Sequence, residues 1–136
     1  MVIHVAVAVI INSDDQVLIA KRSADQHQGN KWEFPGGKVE AEETAQEALR
    51  REIEEELGVQ IQSAEHITDI IHTYPSDSGQ DKEDKTVLLD VFIVKDWLGE
   101  VVGKENQPIL WVNKKELSEY DFPEANVEIL NIINEL

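Results

Sequence analysis

Four glutamates, Glu52, Glu54, Glu55 and Glu56, fall within five consecutive positions of a segment patterned as a helix. Like-charged pairs at i,i+3 and i,i+4 repel by roughly 0.2–0.5 kcal/mol each. The helix is nevertheless strongly signalled. Thr44-Ala45-Gln46-Glu47 fits a capping box, with Thr44 as N-cap and Glu47 three residues on. The helix should run to about Leu57, and Gly58 is a natural residue just past its end. Ala45, Ala48, Leu49, Ile53 and Leu57 form its apolar stripe. Any fold of this chain must bury that stripe and still give the acids a partner. At 3.6 residues per turn, Glu52, Glu55 and Glu56 share one face, while Glu54 and Arg50 point elsewhere. The shared face borders the stripe at Ile53, so its carboxylates should be half-buried. A solvated acidic face is one reading. A bound hard cation is the other, since half-buried carboxylates need a partner. Mg²⁺ favours one or two carboxylates together with the oxygens of a bound phosphate.

Strand patterns surround this helix. Val2 to Ile11 is β-branched and apolar almost throughout, as in a strand covered on both faces. Asn12 to Asp15 is turn chemistry, and Gln16 to Lys21 reads as a second strand and hairpin partner. Arg22 to Trp32 is polar and irregular. Glu33 to Val39 reads as one short strand broken by a Pro35-Gly36-Gly37 bend. Those glycines let a backbone carbonyl approach a ligand closely. Gln60 to Tyr74 holds extended pieces, Pro75 to Asp84 a hydrophilic mobile loop, and Lys85 to Lys95 a strong strand. Gly99 to Gln107 is a loop, Pro108 to Val112 a short strand, and Asn113 caps a brief helix through Leu117. Ala125 to Leu136 closes the chain as an amphipathic helix with Val127, Leu130, Ile133 and Leu136 inward. The expectation is an α/β (α+β) fold, an αβα sandwich with a mixed β-sheet, in a single domain over residues 1–136.

Charge narrows the function classes. With 28 acidic against 12 basic residues the formal net charge is -16, which argues against a nucleic acid polymer or an anionic membrane as partner. A small nucleotide stays open, because metal and a few local cations can handle its charge. There is no cysteine, so thiolate chemistry and disulfides are absent. The start of the chain reads as a strand rather than a signal peptide, and no apolar run is long enough to span a bilayer. A cytoplasmic protein is the expectation.

Spacing then makes the acidic run specific. Gly37, five residues, Glu43, seven residues, then Arg51-Glu52-Ile53-Glu54-Glu55-Glu56-Leu57-Gly58-Val59 matches every specified position of the Nudix box. The likeness continues through Ala24-Asp25-Gln26-His27 and Asn30 to Lys38, through Gly103 to Pro108, and through Asp121-Phe122-Pro123-Glu124-Ala125-Asn126. The chain thus resembles the MutT-like branch of the Nudix hydrolases, the 8-oxo-dGTP diphosphatases. That resemblance implies Mg²⁺ dependence, with Mn²⁺ a substitute. It also implies hydrolysis of 8-oxo-dGTP to the monophosphate and pyrophosphate, by a monomer that cleans the nucleotide pool.

The resemblance also implies roles. Glu52, Glu55 and Glu56 become metal ligands, joined by Gly36 or Gly37 through a carbonyl and by Glu105 from the later loop. Glu52 and Glu105 are both candidates for the base, and Arg51 orients the helix carboxylates, with Glu43 its expected partner. Arg22 contacts phosphate, and His27 sits in the matching substrate loop. Glu33, Phe34, Pro35 and Gly36 line the nucleotide site. Asn126 reads the guanine edge, because its amide carries both donor and acceptor. Where the family has an arginine before the strand near Val87, this chain has Lys85, and the loop from Ser76 to Asp84 looks longer. Lysine keeps the charge but lacks the planar fork. The alternatives are a Nudix enzyme for CTP or an oxidised pyrimidine triphosphate, and a non-catalytic nucleotide-binding or regulatory Nudix module.

Overall fold

The computed structural model describes residues 2–24, 29–75 and 84–135. His27, Leu136 and positions 76–83 lie outside them. Strand β1 (Val2–Ile10) is followed by β2 (Gln16–Lys21), β3 (Trp32–Glu33), β4 (Gly36–Lys38), helix α1 (Ala45–Leu57), β5 (Gln60–Tyr74), β6 (Lys85–Leu98), β7 (Ile109–Asn113), a 3₁₀ turn (Lys114–Glu119) and α2 (Glu124–Asn134). Two sheets form. One has the order β4-β1-β6-β5 and the other β3-β2-β7. The first is mixed: β1 runs parallel to β6, with Val2 opposite Thr86 through to Ile10 opposite Val94, and the other pairs are antiparallel.

Alternation along β1 explains the layers. Ala6, Ala8 and Ile10 face α1, packing with Leu49, Ile53 and Leu57. Val7, Val9 and Ile11 face the other way, onto Ile129 and Ile133 of α2 and Leu117 of the 3₁₀ turn. Strand β2 divides likewise, Leu18 toward α1 and Val17 and Ile19 toward α2. The expected αβα sandwich is therefore present. Full burial of each Leu or Ile on these faces stabilises by roughly 1.5–3 kcal/mol.

Helix α1 starts and stops as its residues dictate. Thr44 Oγ1 accepts from Glu47 N at 3.1 Å and Glu47 Oε1 from Thr44 N at 2.8 Å. Gly58 takes φ 74°, a left-handed conformation suited to glycine, and donates to Glu54 O.

Several expectations are corrected. β1 and β2 do not form a hairpin ladder; they enter different sheets and meet only at the bridge Ile11–Val17. The flanks of β1 are taken by β4 and β6. The segment 33–39 is two strands in different sheets, β3 on β2 and β4 on β1. Phe34-Pro35 crosses between them, and Pro35 O accepts from Ala8 N at 2.8 Å. Strand β6 extends to Leu98. Helix α2 turns Ala125, Ile129 and Ile133 inward, and Val127 is exposed. Its inward face follows the i, i+4, i+8 row set by Ala125.

Candidate functional site

Two adjoining clefts open where β3, β4 and the end of α1 meet. The crossing of Phe34-Pro35 between sheets makes this junction, since it carries β3 to one sheet and β4 to the other. The more polar cleft is bordered by Glu33, Pro35, Glu56, Glu105 and Gln107. The more apolar one, about 200 Å³, is bordered by Val5, Val7, Phe34, Tyr74, Ala125 and Asn126, with Gly36 and Lys85 also on its wall. Arg22 and Glu33 line both clefts. They form an ion pair, Arg22 Nη1 to Glu33 Oε1, at 2.6 Å.

The acids converge in the polar cleft. Glu56 Oε1 accepts from Gly36 N at 3.1 Å. Its carboxyl is pushed up to about 8, chiefly by burial, and then by the charges of Glu33, Glu52 and Glu105. Burial also raises Glu52, against the Arg51 guanidinium that holds it down. Burial raises Glu33 too, against Arg22. Carboxyls driven upward in this way are short of positive charge. Their hard oxygen donors, set on the rim of a cleft, fit a divalent cation such as Mg²⁺. Glu52, Glu56 and Glu105 could supply its side-chain ligands, with Glu33 beside them in its ion pair with Arg22. Glu55 is more exposed, on the same face, 3.6 Å from Arg51 Nη1.

Arg51 clamps this face. It meets Glu43 with two bonds, Nε to Oε2 at 2.7 Å and Nη2 to Oε1 at 2.9 Å. Its Nη1 donates to Glu52 Oε2 at 2.9 Å and its Nη2 to Lys38 O at 3.1 Å. The Arg51 hydrogen bond lowers Glu43 to about 2. The expected Arg51–Glu43 pair is therefore formed, while Glu47 serves the helix cap. Arg50 points away, donating to Ile61 O at 2.5 Å.

Glycines 36 and 37 are shaped by contact. A Cβ on Gly36 would sit 2.0 Å from Ala6 O, and one on Gly37 would sit 2.2 Å from the Glu52 carboxyl carbon. Only glycine lets β4 lie this close to β1 and to the acid face.

The Glu105 loop docks on the C-terminal carbonyls of α1. Lys104 N donates to Glu56 O at 2.9 Å and Val102 N to Leu57 O at 3.0 Å. Gln107 ties both sides: its Nε2 donates to Glu56 O at 3.1 Å and its Oε1 accepts from Glu105 N at 2.9 Å. Sequence reasoning missed Gln107. It also placed Glu33 on the nucleotide site alone, whereas the Glu33 carboxylate also joins the acid group. Neither residue carries a local signal, because each acts across a tertiary contact.

In the apolar cleft, Phe34 is both core and wall. It stacks on Phe122 with centroids 5.2 Å apart. Trp32 N donates to Asp121 O at 2.8 Å, drawing the 121–126 segment to β3. Pro123 caps α2 without a side-chain bond. Asn126 sits in the first turn, half-buried on the cleft wall, and does not serve as the helix cap. Tyr74 Oη accepts from Ala125 N at 3.0 Å, which anchors that turn to β5. Lys85 is pushed down by burial and then by Arg22 and Lys38, so three cations share this rim. Arg22 is met there by Glu33, so the cationic rim and the acid group touch at that pair.

Known proteins place this arrangement in context. The family model described as the NUDIX domain matches residues 2–131. The chain is 36% identical to the 8-oxo-dGTP diphosphatase of Escherichia coli strain K12, over 94% of this chain and 93% of that protein. It is 32% identical to the CTP pyrophosphohydrolase of the same strain, over 91% and 86%. A solved MutT structure, from work on Aliivibrio salmonicida and Vibrio cholerae, superposes with a TM-score of 0.78 at 34% identity, covering 98% of this chain and 97% of that one.

Proposed function

The chain belongs to the NUDIX family, and we propose that it hydrolyses 8-oxo-dGTP and related 8-oxoguanine triphosphates to the monophosphate and pyrophosphate, with Mg²⁺ as cofactor. One observation carries the reading: a group of carboxyls raised by burial and by one another adjoins a rim where Arg22, Lys38 and Lys85 crowd together, with the Asn126 amide on the wall of the apolar cleft. A magnesium nucleotide satisfies all three together.

In this reading Glu52, Glu55, Glu56 and Glu105 hold the metal, with a carbonyl of Gly36 or Gly37. Bound Mg²⁺ supplies Lewis-acid charge that acidifies water and neutralises phosphate oxygens. Glu52 or Glu105 takes the proton of the attacking water. Arg51 stays off the substrate and fixes Glu52 through the bond at 2.9 Å. Arg22 and Lys85 meet phosphate charge beside the nucleoside. Phe34 and the aliphatic wall pack the base, and the Asn126 amide hydrogen-bonds its edge. Oxidation at C8 turns N7 from an acceptor into an N–H donor, which the Asn126 oxygen can accept. Sites built around such a bond can reject the analogue lacking it by about 10⁴-fold or more. The reading includes a single-domain cytoplasmic monomer that removes oxidised guanine nucleotides before DNA synthesis uses them. The likeness to a CTP pyrophosphohydrolase, and Lys85 on the cleft wall, favour CTP as the second reading.

The test is pyrophosphate release in Mg²⁺ from 8-oxo-dGTP, dGTP and CTP in parallel. The oxidised nucleotide should have the highest kcat/KM. Equal turnover of dGTP and 8-oxo-dGTP would remove the sanitising role, and preference for CTP would install the second reading.

A further inference from the structure

Strand β5 carries three register irregularities against β6, and one changes the chemistry of the sheet surface. His66 pairs with Phe92 and Thr68 with Val91, so an extra residue, Ile67, is accommodated between them. In a regular strand, residues three apart point to opposite faces. The bulge cancels that rule. Ile67 and Ile70 both turn to the α2 side of the sheet, and His66 and Asp69 both turn to the α1 side. Bulges re-aim side chains in this way.

Asp69 then lies directly opposite Asp90 of β6. Like charges placed opposite each other across a ladder destabilise it. His66 Nε2 faces both, at 2.8 Å from Asp69 Oδ1 and 3.1 Å from Asp90 Oδ1. A ring nitrogen has one proton to donate at most, and here it meets two carboxylates. Ligand atoms of His66, Asp69 and Asp90 all lie within 4.8 Å of one another. The second oxygen of Asp90, Oδ2, is held by His4 Nε2 from β1. Among the described residues, the ion pairs of Asp69 and Asp90 run to histidine. When those imidazoles are neutral, two carboxylates share one small patch with no lysine or arginine paired to them among the described residues.

We propose that His66, Asp69 and Asp90 form a second cation site, for a divalent transition metal such as Zn²⁺, on the sheet face that also carries α1. Two ligands on a tetrahedral zinc with bonds of about 2.0–2.1 Å lie about 3.3 Å apart. The two nitrogen–oxygen separations fall just below that spacing, so a slight spreading admits the ion. One imidazole and two carboxylates suit zinc, and a fourth position stays open to water. His4 is the outer partner that orients Asp90. The ion would tie the bulged β5 to β6 and, through His4, to β1. It is separate from the helix carboxylates, and the proposal stands whatever nucleotide the enzyme hydrolyses.

The test is Zn²⁺ binding to metal-stripped full-length protein in excess Mg²⁺, by equilibrium dialysis and calorimetry. Excess Mg²⁺ keeps the hard carboxylate site filled. One Zn²⁺ per chain should bind, and Co²⁺ in its place should show the visible bands of a four-coordinate site. Both His66 and Asp69 are exposed, so His66→Gln and Asp69→Asn should fold and retain basal hydrolysis while losing the ion. His4→Gln should weaken binding about 10–100-fold. Failure of the wild-type protein to bind Zn²⁺, or undiminished binding by both His66→Gln and Asp69→Asn, would overturn the site.

Discussion

Gly37→Ala separates catalysis from folding in this architecture. The three atoms nearest a Cβ at residue 37 all belong to Glu52: its carboxyl carbon at 2.2 Å, Oε1 at 2.4 Å and Cγ at 2.6 Å. Ordinary contact begins at 3.4 Å, so the carboxylate must retreat by about 1 Å. The backbone has no reason to resist, because residue 37 is not among the positive-φ glycines. Alanine at such a position stabilises by about 0.4–1 kcal/mol through the unfolded chain. The Arg51–Glu52 bond, 2.9 Å long, must stretch or break. Misplacement of a catalytic group by about 1 Å costs on the order of 100-fold in rate, about 2.7 kcal/mol. The variant should melt within a few degrees of the parent, need more Mg²⁺, and turn over about 100-fold more slowly. Gly36→Ala is the contrasting control, since its Cβ meets the Ala6 carbonyl oxygen of the central strand at 2.0 Å. Backbone cannot retreat as a side chain can, so that variant should lose stability instead. Steady-state pyrophosphate release beside thermal denaturation reads both effects. Gly37→Ala with the parent's kcat and Mg²⁺ dependence would refute the claim that Glu52 is held in a working position by the missing side chain.

Four further outcomes are expected. Glu56 is raised from 4.5 to about 8, so the folded state holds its proton more tightly than the unfolded. Metal-free stability from this group is full below pH 4.5 and lost as pH rises toward 8, by up to about 5 kcal/mol; thermal melts across that window should fall, and Mg²⁺ should restore them. Glu56→Gln should flatten that decline and abolish turnover, and surviving turnover would remove Glu56 from the metal site. Glu43 is lowered to about 2, so its contribution is present above pH 4.5 and lost as pH falls toward 2; Glu43→Gln should blunt acid unfolding in that range and lower kcat through Arg51. Asn126→Ala should raise KM for 8-oxo-dGTP more than for dGTP, as competition kinetics would show.

The legible parts of this molecule were those with local causes. The capping box and the Gly58 stop of α1 each depend on residues within a turn or two, and both stand as read; on the acid face Glu52 and Glu56 are half-buried as expected, whereas Glu55 is exposed. The pairing of β1 did not follow from its neighbours in sequence. Asn12 to Asp15 makes a turn, with Asn12 Oδ1 accepting from Asp14 N and Gln16 N. Turn chemistry brings β2 back but does not choose its sheet, and β6, more than seventy residues away, is the better partner for the apolar β1. Helix α2 posed a different difficulty. Leu130, Ile132 and Ile133 leave its stripe ambiguous, and contact with β5 and the 3₁₀ turn selects the row through Ala125 and Ile129. His27 lies outside the described residues, and the longer loop noted at 76–84 falls mostly there too.

Charge segregation connects the fold to the proposed chemistry. A chain of net charge -16 could spread its few cations evenly, yet Arg22, Lys38 and Lys85 stand around one cleft. Glu33, Glu52, Glu56 and Glu105 act on one another beside it. Each group is self-repelling and partly desolvated, so crowding costs each of them free energy. The groups meet where β3 and β4 part into different sheets, with Phe34-Pro35 crossing between them. They stay in register because the Arg22–Glu33 pair borders both clefts. A ligand that is anionic throughout would relieve only the cations, and a bare metal ion only the acids. A polyphosphate carrying a divalent ion relieves both, and the apolar wall with Asn126 then selects among the bases attached to it.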